Sequence, residues 1–148
     1  MFKPTKILAP TDMSVHSDKA VKQAVEIARQ FGAELFLLHV IQDPVQQCTI
    51  DCSIDEGLLM QLQKEMLESA KAGILKQVEK FPESKEITVT TDVKSGTPYD
   101  MILQEEAERG IDLIVISSLG TTGMAKYLMG SVARHVLLGA KCSVLLVK

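Results

Sequence analysis

Five short apolar runs alternate with four stretches of helical periodicity along the whole chain, and this alternation limits the fold more than any other feature. Ile7-Leu8-Ala9, closed by Pro10, reads as a buried strand. From Ser14, the residues Val15, Ala20, Ala24, Val25, Ile27, Ala28 and Phe31 recur at helical spacing, and Gly32 stops the helix. Glu34 to Ile41 is a second strand. A loop from Gln42 to Ile54 leads to a long helix from Asp55 to Phe81, with an apolar stripe of Leu58, Leu59, Leu62, Met66, Leu67, Ala70, Ile74, Leu75 and Val78, ended by Pro82. Glu86 to Lys94 alternates as a third strand. A Ser95–Pro98 turn starts a helix that stops at Gly110. Asp112 to Ser117 is the fourth strand, Ser131 to Leu138 the fourth helix with Gly139 as its cap, and Ser143 to Val147 the last strand.

Strict β-α alternation implies an α/β domain spanning residues 1–148, a parallel sheet with helices on both faces. Right-handed crossovers require the sheet to start near its middle and reverse once, which gives the order 3-2-1-4-5. Only 4% of the residues are aromatic, so the core must be aliphatic, as in buried parallel strands. Ligands in such sheets sit at the carboxyl ends of the strands where the order reverses. That crevice lies between the first and fourth strands, walled by Ala9 to Ser14 and by the loop from Ser117 to Val132.

A net charge of −3 argues against nucleic acid as a partner. No apolar run reaches the roughly 18 residues of a membrane span. The first residues lack a secretory pattern, so the expected compartment is the cytoplasm. Cys48, Cys52 and Cys142 do not make a disulfide framework. Cys48 and Cys52 could pair or hold half a metal site, but two reduced thiols in a loop is the plainer reading.

Three nucleotide or phosphate motifs fail. The first strand is followed by Pro-Thr-Asp rather than G-x-G-x-x-G, and there is no G-x-x-x-x-G-K-[ST] string. A phosphoacceptor receiver needs an acidic pair after the first strand, and Asp12 stands alone. The fourth-strand loop fits an anion better. Gly120 allows close backbone approach. Gly130 and Ser131 open a helix whose amides and dipole favour negative charge. Thr121, Thr122, Lys126 and Arg134 add donors and positive charge. Asp12, opposite, suits a ribose hydroxyl, an adenine amine or a phosphate-bound metal. A plain turn at Gly120, a simple Gly-Ser helix entry and a helix-capping Asp12 fit the same residues.

The chain resembles the universal stress proteins (UspA-like) over its whole length. The resemblance is carried by KILAPTDMS, LFLLHVI, SGTPYDMI, DLIVISSLGTTGMAKYLMGSVARHVL and CSVLLVK. It implies a Rossmann-like, adenine nucleotide alpha hydrolase-like domain. ATP-binding members carry Gly-x2-Gly-x9-Gly-Ser/Thr, where this chain reads Ser117-x2-Gly120-x9-Gly130-Ser131. Leu119 and Thr121 stand where binding members often have His and Arg. The resemblance therefore implies ATP, ADP or AMP, with Mg²⁺ or Mn²⁺ bound through the phosphates. The implied site is Pro10, Thr11, Asp12 and Val40 at the adenosine end, with Ser117, Gly120, Thr121, Gly130, Ser131 and Val132 along the loop. In the family the first glycine lies against the ribose, so Ser117 brings a Cβ or a hydroxyl to the sugar.

No nucleophile–base pair is visible, so the expected role is a sensor or regulator. The alternatives are a protein-interaction module that binds no nucleotide and a weak ATPase. His16 reads as a structural or surface residue, His39 as a satisfied core residue, and His135 as packing or surface. The methionines, Met60, Met66, Met124 and Met129 among them, read mostly as core filler. The last strand is an unprotected edge, and both this edge and the resemblance point to a homodimer through Ser143 to Val147.

Overall fold

The computed structural model describes residues 1–42, 55–120 and 129–148. Its elements are β1 (Lys6–Pro10), α1 (Val15–Phe31), β2 (Glu34–Ile41), α2 (Glu56–Glu79), β3 (Val89–Ser95), α3 (Pro98–Arg109), β4 (Leu113–Ser117), α4 (Ser131–Gly139) and β5 (Ser143–Val147). All strand pairs are parallel and the order is β3-β2-β1-β4-β5, as the alternation predicts.

Because β1, β2 and β4 are covered on both faces, their central runs Ile7–Ala9, Leu35–Leu38 and Leu113–Ile116 are apolar at successive positions rather than at every second one. Ile7, Leu35, Leu37, Leu113 and Val115 face α1 and α2. Leu8, Phe36, Leu38, Ile114 and Ile116 face α3 and α4. Helix α1 is capped at its start by Ser14, whose hydroxyl accepts from Ser17 N, and ends at Gly32 in the left-handed region.

Three expectations are corrected. Strand β3 begins at Val89, not Glu86, because Pro82–Glu86 winds into a 3-10 turn. Gly139 lies inside α4 and Ala140 follows as an extended cap. The glycine is there for space, since a Cβ would come within 2.7 Å of Leu103 Cδ1.

The third correction concerns the apolar stripe of α2. The helix buries Ala70, Ile74 and Gln77, while Leu58, Met60, Leu62, Met66 and Leu75 are exposed. At about 1.5 Å per residue the helix outruns strands that rise about 3.3 Å over far fewer residues. Its first half extends past the sheet, so Met60 and Met66 do not fill the core. Met129 does pack, against the α3–α4 face, and Met124 lies outside the described residues. Val15, counted in the stripe of α1, is also exposed.

The amino ends of the strands are held by two carboxylates. Asp112 accepts from Thr5 N, Thr5 Oγ1 and Lys6 N. Glu106, buried, accepts the amides of Lys141 and Cys142, both at 2.7 Å. Burial, and then Glu106, push the Cys142 thiol up to about 12. The thiolate is the reactive form. Alkylation of Cys142 by iodoacetamide at mild alkaline pH is therefore expected to run roughly a thousandfold slower in the folded protein than in denaturant. Timed peptide mapping checks this, and equal rates would contradict it. Cys48 and Cys52 lie outside the described residues.

Candidate functional site

At the carboxyl ends of β1 and β4 there is a cavity of about 500 Å³. That size suits a small organic ligand. Nine of the ten predicted site residues line it: Pro10, Thr11, Asp12, Val40, Ser117, Gly120, Gly130, Ser131 and Val132. The tenth, Thr121, lies outside the described residues, as do Thr122 and Lys126.

One wall is the turn after β1. The Thr11 amide donates to Leu38 O at 2.8 Å, which extends the β1–β2 ladder by one residue. The next residues turn sharply. Asp12 Oδ1 accepts from Ser14 N at 2.9 Å, and Met13 adopts φ +63°. The cap of α1 thus belongs to Ser14, which leaves Asp12 Oδ2 directed at the crevice. A Cβ placed on Gly120 would lie 3.4 Å from that oxygen, so the two walls stand close together at this pair.

The other wall is the β4–α4 segment. Ser118 N donates to Val147 O, and Gly130 N donates to Ser118 O, both at 2.8 Å. A Cβ on Gly130 would stand 3.3 Å from Ser118 O. Glycine is favoured here by close approach, not by φ, which is −56°. The first intrahelical bond of α4 is from Arg134 N to Gly130 O at 3.0 Å. The amides of Ser131, Val132 and Ala133 precede it and have no partner within the helix. Among the described residues no side chain caps this end, and its first turn carries no acid. It presents donors and a partial positive charge to the cavity.

Two predicted site residues use their hydroxyls within the protein. The Ser117 hydroxyl donates to Leu119 O at 2.8 Å and lies 3.3 Å from Leu119 N, so it is engaged with its own loop rather than directed at a sugar. The Thr11 hydroxyl is buried, donating to Gln77 Oε1 at 2.7 Å and accepting from Met13 N at 3.0 Å. Thr11 reaches the cavity without offering its hydroxyl.

The expectation that His39 is a core residue is corrected. It is half-buried, lines the cavity, and its Nδ1–H donates to Thr11 O at 2.8 Å. An apolar strand hides such a residue from sequence reading, although its position one residue before Val40 at a strand's carboxyl end was a usable signal. Ser17, Gln42, Pro98, Ile102 and Ser118 also line the cavity. His16 does not. His135 stacks on Tyr99 with ring centroids 4.4 Å apart, and its Nδ1–H donates to Ser131 O. Among the described residues, no group of three or more His, Cys, Asp or Glu side chains could hold a metal, and no helix is long and apolar enough to cross a membrane.

Comparison with known proteins agrees with this geometry. Residues 3–148 match the model of the universal stress protein family. A universal stress protein of Methanocaldococcus jannaschii is 35% identical over 147 residues, covering 97% of this chain and 81% of the relative. Among solved structures, UspA from Lactobacillus plantarum superposes with a TM-score of 0.84 at 25% identity, covering all of both chains. A universal stress protein solved in complex with cAMP shares the fold, with a TM-score of 0.68 at 22% identity over 99% of this chain and 98% of that one.

Proposed function

The chain belongs to the universal stress protein family, and from that premise we propose that it binds ATP, or another adenine nucleotide such as ADP or AMP, between β1 and β4. In this reading it works as a homodimeric regulatory switch. The observation that carries the reading is the start of α4, which no side chain among the described residues caps. Its amides open at Gly130 onto a cavity whose facing wall presents the Asp12 carboxylate. The phosphates would lie on the amides of Ser131 to Ala133. A Mg²⁺ or Mn²⁺ ion would enter with the phosphates, and Asp12 Oδ2 is the carboxylate oxygen on that side of the cavity. The family relative solved with cAMP shows that this fold accepts an adenine nucleotide.

Calorimetric titration with Mg-ATP tests the proposal. Saturable binding is expected. No binding up to about 1 mM nucleotide would leave less than about 4 kcal/mol of affinity and overturn it. An interaction module that works without nucleotide is the second reading, supported by the exposed Leu58, Met60, Leu62 and Met66 on α2. Solution behaviour that is indifferent to saturating nucleotide would favour it. Slow ATP hydrolysis is the third, and phosphate release with Mg²⁺ or Mn²⁺ tests it.

The homodimer rests on β5. Its inner edge pairs with β4, and its outer edge has no strand partner among the described residues. Val144, Leu145, Leu146 and Val147 are only half-buried. Such an edge favours pairing with a second copy. Sedimentation equilibrium is expected to give twice the chain mass at micromolar concentration. Leu145→Lys is expected to shift the protein to monomer, and a monomeric wild type would refute the assignment.

A further inference from the structure

We infer that Gln77, buried on α2 and outside the cavity, is a positioning residue for the Asp12 turn. This rests on the nucleotide reading of the crevice and adds to it the device that positions Asp12.

The turn is not a relaxed one. Met13 sits at φ +63°, a region that costs a side-chain-bearing residue about 1 kcal/mol or more. The surroundings must therefore hold it in place. Two residues one turn apart on α2 do so. Gln77 Oε1 accepts from the Thr11 hydroxyl at 2.7 Å, and that same oxygen of Thr11 accepts from Met13 N. Gln77 Nε2 donates to Asp18 Oδ1 at 2.8 Å and lies 3.3 Å from Ser17 Oγ, so the amide also grips the first turn of α1. Asp18 is held in turn by Lys80 Nζ at 2.8 Å. Four residues before Gln77, Gly73 makes room for Met13. A Cβ there would fall 2.5 Å from Met13 Sδ.

Gln77 is 2% exposed beside Ile74, where a leucine would satisfy the core. A buried amide with its bonds filled fixes one arrangement of its partners, whereas an apolar side chain tolerates several. The arrangement matters because Asp12 Oδ2 stands so close to Gly120. A turn that moves by less than an ångström changes the gap between Asp12 and Gly120.

Gln77→Met keeps the volume and removes the bonds. Measured by hydrogen exchange without ligand, the amides of Met13 and Ser14 are expected to exchange at least about tenfold faster, while those of Leu8 and Ile114 keep their protection. Mg-ATP affinity is expected to fall about tenfold at a temperature where the variant is fully folded. Glu106→Gln, which weakens the opposite end of the sheet, is the control and should leave both readings unchanged. Unaltered Met13 and Ser14 exchange in Gln77→Met overturns the inference, as does unaltered affinity. Should that variant not fold, Gln77→Leu, which suits the core beside Ile74, is read by the same two measurements. A wild type that binds no nucleotide sinks the proposed function alone, and the exchange data still decide the role of Gln77.

Discussion

Gly130→Val is expected to weaken nucleotide binding about a hundredfold while leaving the protein folded. The backbone at this position is compatible with any residue, since φ is −56°, so the substitution brings no conformational strain. The obstacle is local space. The first added carbon lies 3.3 Å from Ser118 O, and the two methyls of valine then spread over the amides that open α4. They would displace a phosphate and loosen the 2.8 Å bond from Gly130 N to Ser118 O that fixes the loop against β4. A loss of roughly a hundredfold in Mg-ATP affinity is expected, about 2.7 kcal/mol. Gly130→Ala should fall between the two, because its single methyl needs only a small shift of Ser118. Titration of the three proteins checks the order. If valine binds as tightly as glycine, the phosphates do not lie at this helix.

The second large effect concerns stability. Glu105 on α3 is 2% exposed and pairs with Lys94 Nζ at 2.6 Å and with Arg109 Nε. Arg109 also covers the Phe36 ring, with its guanidinium carbon 4.8 Å from the centroid. Removing the buried carboxylate would leave two cations facing each other beside an apolar strand. Breaking a buried pair costs about 3–5 kcal/mol, and the partial solvent access of Lys94 and Arg109 places this case near about 3 kcal/mol. For a chain of 148 residues, that lowers the thermal midpoint of Glu105→Ala by roughly 10 °C. Glu108→Ala removes an exposed carboxylate from the same cluster and should leave the midpoint where it is. The hydrogen bond from Lys94 to Glu105 raises the lysine pKa above its ordinary value, against an opposing effect of burial. A raised pKa means that the charged form is favoured by folding. The contribution of Lys94 is therefore complete at neutral pH and fades only as pH rises past the ordinary lysine range. Thermal melts at neutral and strongly alkaline pH check the sign, and a gain in stability at high pH would contradict it.

These two sites differ in how far they can be read without coordinates. Gly130 and Ser131 announce themselves, because a glycine-serine pair at the mouth of a helix is a local signal with a local cause. Glu105 looks like any surface residue of an amphipathic helix. Its partners are Lys94, on the strand before it, and Arg109, one turn on. Only the packing of α3 on β2 and β3 puts all three around one buried carboxylate. Ser117 shows the same limit. Its place in the glycine pattern is plain, but whether its hydroxyl reaches a ligand or its own loop depends on a two-residue turn. The predicted start of β3 failed for a related reason. Glu86 and Ile87 continue the strand pattern, and Pro82 gives no sign that a 3-10 turn will absorb the residues after it.

The alternation of apolar runs and helical stripes determined the parallel sheet, its order and the place of the crevice. Burial on both faces and right-handed crossovers act on every such chain alike, and periodicity records them residue by residue. Tertiary structure alone decided which polar groups meet. The exposed half of α2, the turn of His39 toward Thr11 and the grip of Gln77 on the Asp12 turn each join residues from different elements. A hydrogen bond between residues 66 positions apart, such as that from Thr11 to Gln77, leaves no period in the sequence because neither partner needs the other until the chain has closed around both.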